Sequence, residues 1–254
     1  MTVLTGAEPF THDGGRVGVL LCHGFTGCPQ SLRPWAEALA ARGFTVELPL
    51  LPGHGTTWQH MNRTSWPQWY SEVEQALARL TARCDRVVVA GLSMGGALAL
   101  RLAEQHSRDV AGLVLVNPAV KIEDPRLAVL PVLRRVLPSL PGIGSDIAKP
   151  GVTELAYDRT PLNALASMLD LYKLVRADLA SITQPVLLFR SANDHVVPAS
   201  SSALILASIT SPDATEVVLD DSFHVATLDH DAPRIVEGSI AFVERICASA
   251  TESR

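Results

Sequence analysis

Residues 86–96 read Arg86-Val87-Val88-Val89-Ala90-Gly91-Leu92-Ser93-Met94-Gly95-Gly96, and this stretch decides the fold. Its first five residues are a short Val-rich run of the kind used by strands buried on both faces. From Met94 to His106 the pattern turns helical, so a strand passes into a helix through one sharp turn. A serine on such a turn takes a strained backbone, and the residues two positions away must lack side chains to avoid collision. The free amides at the helix start then face Ser93 and favour negative charge developing beside it. Ser93 as a simple helix cap is the plainer reading. The strand–turn–helix setting argues instead for an exposed nucleophile.

Working outward, similar apolar runs recur at Arg16–Cys22, Phe44–Leu48, Ala111–Val116, Pro185–Arg190 and Thr215–Leu219. Helical patterns lie between or after them, at Ser31–Arg42, Trp66–Arg83, Ala199–Ser208 and Pro233–Ser249. This alternation predicts an α/β fold: a mostly parallel sheet of about six to eight strands with helices on both faces. One stretch breaks the rhythm. From Val120 to Thr183 no strand is expected, and Leu127–Ile143 is apolar, carries only two charges and is interrupted by three prolines. A plain core helix would be broken there. The segment reads as a small helical cap over an apolar pocket, with a packed elaboration as the alternative. The division is therefore 1–119 plus 184–254 as the core and 120–183 as the cap. Residues 248–254 read as a frayed tail.

Composition narrows the function. The 254 residues are 47% hydrophobic and 19% charged with a net charge of −5, which excludes a disordered chain and offers no basic face for nucleic acid. Apolar runs are far shorter than the roughly 20 residues of a membrane span, so no transmembrane segment is expected. The start carries no basic, apolar leader, and the cytoplasm is the expected compartment. Cys22, Cys28, Cys84 and Cys247 are scattered and form no disulfide framework. No Cys/His quartet or helical His pair exists to hold a metal, so neither a metal nor another cofactor is expected.

A serine needs a base held by a third group. After Pro185–Arg190 comes Ser191-Ala192-Asn193-Asp194-His195, and after Thr215–Leu219 comes Asp220-Asp221-Ser222-Phe223-His224. Parallel strands bring these loops to the same carboxyl edge as Ser93. Ser93, Asp194 and His224 then follow in nucleophile, acid, base order. Asp124, one strand earlier, is the alternative acid. His195 is poorly placed to be oriented by its own neighbour, and His230 reads as a solvent-facing turn residue. The oxyanion of a tetrahedral intermediate needs two amides. Met94 supplies one, and Phe25 in His23-Gly24-Phe25-Thr26-Gly27 the other. His23 and His54 read as structural loop histidines.

With these segments in order, together with Leu51-Pro52-Gly53-His54-Gly55 and Ser222 to Asp231, the chain resembles the α/β-hydrolase superfamily. It is most similar to small bacterial carboxylesterases and monoacylglycerol lipases, over residues 16–246. Carried over by position, the resemblance puts the nucleophile, acid and base on Ser93, Asp194 and His224, and the oxyanion amides on Phe25 and Met94. The cap stretches Ile143-Gly144-Ser145-Asp146 and Glu154-Leu155-Ala156-Tyr157 resemble the lipase-type cap. Ile143 is expected on the acyl side of the substrate and Glu154 on the alcohol side. The family's sheet begins with extra strands, one antiparallel, and Thr2–Thr11 leaves little room for them, so six or seven strands are expected. The implied activity is cofactor-free hydrolysis of a small-molecule carboxylic ester, a monoacylglycerol or a short- or medium-chain acyl ester. Serine at the elbow disfavours dehalogenase and epoxide-hydrolase chemistry. Thioester hydrolysis, C–C bond hydrolysis and a slow, binding-only relative stay open.

Overall fold

The computed structural model describes residues 2–142 and 144–248. The strands are β1 (Phe10–His12), β2 (Val17–Cys22), β3 (Thr45–Leu48), β4 (Arg86–Leu92), β5 (Val110–Val116), β6 (Ser139–Pro141), β7 (Arg159–Pro161), β8 (Val186–Ser191) and β9 (Ala214–Leu219). The helices are α1 (Arg33–Ala41), α2 (Trp58–Met61), α3 (Trp66–Thr81), α4 (Met94–Gln105), α5 (Leu130–Leu133), α6 (Leu162–Asp178), α7 (Ala199–Ser208) and α8 (Ala232–Ala248). The main sheet has seven strands in the order β1-β3-β2-β4-β5-β8-β9. All its pairings are parallel except the one between β1 and β3.

Val and Leu fill both faces of the central strands, and the two cores sort by alternation. Leu20, Val87, Val89, Leu113, Leu115 and Leu188 face α3, α4, α6 and α7. Val19, Leu21, Val88, Ala90, Val114, Val116 and Phe189 face α1 and α8. Trp69 anchors the first layer and Trp35 the second, each essentially without solvent exposure. Register then aligns the carboxyl ends: Cys22 lies opposite Gly91, Leu92 opposite Val116, and Ser191 opposite Leu219. The loops leaving those residues carry Phe25, Ser93, Asp194 and His224.

The seven strands fall within the expected six or seven; the extra one is a short antiparallel edge strand, β1, whose Phe10 pairs with Leu48. A three-residue strand is too short for periodicity to reveal. One expectation is corrected: the 120–183 stretch is not free of strands. β6 and β7 form an antiparallel pair, with Ser139 opposite Pro161. Prolines at both strands hid them, because proline is tolerated only at edges and ends of strands. Pro125–Val129 is a single 3-10 turn leading into the one-turn helix α5, so the proline-broken apolar run is no continuous helix. The second half of the stretch is α6, which packs on α3 and α4 as an ordinary layer helix. The expected frayed tail, beyond Ala248, lies outside the described residues, and among those described no helix is long and apolar enough to cross a membrane.

One buried charge sits in the α3–α4–α6 layer. The Glu104 side chain is fully buried, takes a 2.9 Å bond from Arg101 and leaves Oε1 without a partner. Burial pushes its carboxyl up to about 7, against the opposing pull of Arg101. Between pH 4.5 and 7 the folded chain thus keeps a proton that the unfolded chain has released, and stability falls as pH rises through that window. In urea unfolding, Glu104→Gln is expected to remove this decline, gaining on the order of 3 kcal/mol over wild type between pH 4.5 and 7.5. A difference between the two proteins that stays constant with pH would contradict this.

Candidate active site

At the end of β4 the backbone of Ser93 has φ 56° and ψ −120°, the left-handed side of the map that L-residues avoid. Three hydrogen bonds hold it there. Its amide donates to Val116 O at 3.0 Å, and its carbonyl accepts from Gly96 N at 2.9 Å and Ala119 N at 3.1 Å. The flanking glycines are sterically required. A Cβ on Gly91 would strike the carbonyl of Gly95, and one on Gly95 would strike the carbonyl of Cys22. Met94 opens α4, so its amide lies among those that have no intrahelical acceptor.

His224 and Asp194 meet where the sheet register brings their loops together. His224 Nδ1 donates to Asp194 Oδ2 at 2.8 Å, and both side chains are almost wholly buried. The other carboxylate oxygen of Asp194 accepts from the amides of Val196 and Val197, each at 2.8 Å. That arrangement fixes the carboxylate and assigns the His224 proton to Nδ1, leaving Nε2 as the free base. Ser93 and His224 line one pocket. Asp124 is elsewhere: it pairs with Arg126 and caps the turn at Pro125–Val129. His230 is exposed, as expected, and His195 bonds Asp146 rather than Asp194.

The Phe25 loop is braced from below. Buried His23 donates from Nδ1 to Gly24 O at 3.0 Å and accepts from Leu51 N at Nε2, 3.2 Å away. Burial lowers its pKa to about 4, in keeping with a neutral ring that must accept a hydrogen bond. His54 donates to Pro52 O and packs edge-on against His23 and Trp69, with its pKa also lowered by burial. Phe25 itself packs edge-on against Trp69 and lines the same pocket as Ser93.

The pocket encloses about 150 Å³, with an apolar wall of Ala119, Ile122, Leu165, Met168, Val196 and Val197. Glu154 and Tyr157 line it from the segment between β6 and α6. Tyr157 donates to Gly53 O at 2.7 Å, and Gln30 bonds the backbone of Thr153 and Leu155. Glu154 Oε1 occupies the space that a side chain on Gly27 would need. Burial raises the Glu154 carboxyl, offset in part by nearby His224 and Ser31. Ile143 lies outside the described residues.

Three side chains that bear on the site have no role assigned from sequence. Asn117, at φ 44° and buried, donates to His224 O at 2.7 Å and accepts from Ser191 N at 2.7 Å. Asp229 accepts from the amides of Ala148, Lys149, Phe223 and His230. Asp146 accepts from His224 N at 3.0 Å. Asn117 was findable only as a polar residue closing an apolar strand; the two aspartates lie in stretches that carry the resemblance, Ile143–Asp146 and Ser222–Asp231, but nothing local marked their partners.

The chain is similar to known proteins along nearly its whole length. It is 47% identical to a thermostable monoacylglycerol lipase of Bacillus sp. (strain H-257), over 94% of this chain and 95% of that one. It is 27% identical to a carboxylesterase of Bacillus subtilis (strain 168), over 97% and 99% of the two chains. A solved structure described under "LipS and LipT, two metagenome-derived lipolytic enzymes" superposes with a TM-score of 0.94 at 42% identity, covering 96% of this chain and all of that one. Residues 15–231 match the Hydrolase_4 family, described as serine aminopeptidase, S33. With the strained serine elbow, the His224–Asp194 pair and this match in agreement, the chain belongs to the Hydrolase_4 family of the α/β-hydrolase fold.

Proposed function

We propose that the protein is a carboxylic ester hydrolase working through an acyl-enzyme on Ser93, acting on monoacylglycerols or short- to medium-chain acyl esters. The observation that carries the reading is the 2.8 Å His224–Asp194 bond beside a serine held in a strained elbow. Relatives named for monoacylglycerol lipase and carboxylesterase activity support the substrate class.

In this reading Ser93 Oγ attacks the ester carbonyl while His224 Nε2 takes its proton. The amides of Phe25 and Met94 receive the oxyanion. Asp194 stays ionised, holds the tautomer and stabilises the imidazolium. His224 returns the proton to the departing alcohol, and water repeats the sequence on the acyl-enzyme. Ser93→Ala is expected to lower turnover of a chromogenic ester by at least about three orders of magnitude, and Asp194→Asn by about 10⁴ in kcat. Asp124→Asn is expected to be nearly silent. A folded, active Ser93→Ala protein, or the reverse pattern for the two aspartates, would refute the assignment.

We read 120–183 as the cap, with α6 its anchor on the core. The apolar wall from Ala119 to Val197 takes the acyl chain. The pocket volume of about 150 Å³ suits a short acyl chain, and a longer one would extend through the pocket mouth or displace the cap. Glu154 reads the alcohol: its buried carboxyl beside His224 suits a glycerol hydroxyl. The free thiols of the chain fit a cytoplasmic location.

Glu154→Leu is expected to lower kcat/KM for a monoacylglycerol by about 1.5–3 kcal/mol, the scale of one hydrogen bond to a charged group, and to leave an ethyl ester of the same acid unaffected. Equal losses on both substrates, or none, would remove the alcohol-reading role. A panel adding an acyl-thioester and an aminoacyl nitroanilide, each expected to be a poorer substrate, tests the reaction class.

A further inference from the structure

Beside the catalytic His224–Asp194 pair lies a second histidine–aspartate pair. His195 follows Asp194 directly in the chain, and its Nδ1 lies 2.8 Å from Asp146 Oδ1. The other oxygen, Asp146 Oδ2, accepts two backbone amides: His224 N at 3.0 Å and His195 N at 3.2 Å. One carboxylate from the segment between β6 and β7 thus grips both the loop of the acid and the loop of the base. Its own carbonyl accepts a third amide, Val225 N, at 3.1 Å. His195 is also wedged edge-on against Phe223, with ring centres 4.6 Å apart.

The far side of the same peptide is gripped as well. Asn117 Nδ2 donates to His224 O, and Ser191 Oγ donates to Phe223 O at 2.8 Å. These two come from β5 and β8, the rigid sheet edge. Asp146 comes from a segment with no place in the main sheet. The Asp146 side chain is about nine-tenths buried, while the His195 side chain is largely exposed.

We propose that Asp146, steadied by His195, is a positioning residue that ties the placement of the base His224 to the seating of the 144–158 segment. The His224 peptide is held between a fixed grip, Asn117 and Ser191, and a conditional one, Asp146. When the segment is seated, the His224 amide is bonded and the ring is held against Asp194. When it lifts, that bond breaks and the base loses its alignment. A displacement of about 1 Å at a reacting group lowers rates on the order of a hundredfold. This inference rests on the proposed ester hydrolysis and deepens it.

The test compares Asp146→Ala, Asp146→Asn and His195→Ala with wild type on a short 4-nitrophenyl ester, alongside melting curves. Asp146→Ala is expected to lower kcat about 30- to 100-fold with KM within twofold, because the acceptor of the His224 amide is gone. Asp146→Asn keeps an oxygen for both amides and is expected to recover to within about fivefold of wild type. His195→Ala is expected to lower kcat several-fold, and adding it to Asp146→Ala should do no further harm, since the two act as one unit. Amide exchange of the 222–228 peptide should quicken in Asp146→Ala whether or not esters are turned over. That readout separates failure of this inference from failure of the ester reading. An unchanged kcat, a rise in KM alone, Asp146→Asn as poor as Asp146→Ala, or unchanged exchange would each overturn the proposal. Should Asp146→Ala not fold, His195→Ala, at an exposed side chain, carries the test alone, and no effect on kcat would overturn it.

Discussion

The backbone of Ser93 is the constraint on which the rest depends. A non-glycine residue at φ 56° carries strain on the order of 1–3 kcal/mol and persists only where its surroundings over-determine it. Here the surroundings are the central parallel strands themselves. Val116 holds the serine amide, Gly96 and Ala119 hold its carbonyl, and the closeness of α4 to β2 is possible only because Gly95 has no side chain. The strain is therefore balanced by the two buried layers that flank β4. Loosening those layers would relax the elbow before it unfolded the protein.

Around this rigid point, the other groups are placed by increasingly local means. Asp194 is set by two amides at the start of its own turn, and His224 by Asp194 and by grips on its peptide. The segment between β5 and α6 is attached less continuously, through Tyr157, Gln30, Asp146 and Asp229 rather than through pairing with the main sheet. Such point attachments can open one at a time, as regions of low local stability do. That gradient suits the proposed site, whose nucleophile must be held still while substrate enters.

What was legible in the sequence follows the same gradient. Ser93, Asp194 and His224 sit in turns immediately after apolar strands, and strand order alone brings those turns to one edge. β2, β4, β5 and β8 were readable because burial on both faces makes them almost continuously apolar, whereas β3 and the edge strand β9 showed only short apolar stretches around a glutamate. Pairings between distant short segments left no local pattern: β1 against β3, β6 against β7, and Asp146 reaching back to His224. Proline at both β6 and β7 further masked them, and α6 was hidden by a weakly periodic pattern. Asn117 and Asp229 became informative only when the fold supplied their partners, because one polar side chain in a loop looks like any other.

In the proposed mechanism Ser93, strained and lining one pocket with His224, carries the acyl group during turnover. Acid quenching the protein during hydrolysis of a slow ester, followed by peptide mapping by mass, tests it most directly. One acyl adduct per chain is expected, on the peptide that contains Ser93. An adduct on another residue, or steady turnover with none formed, would contradict it.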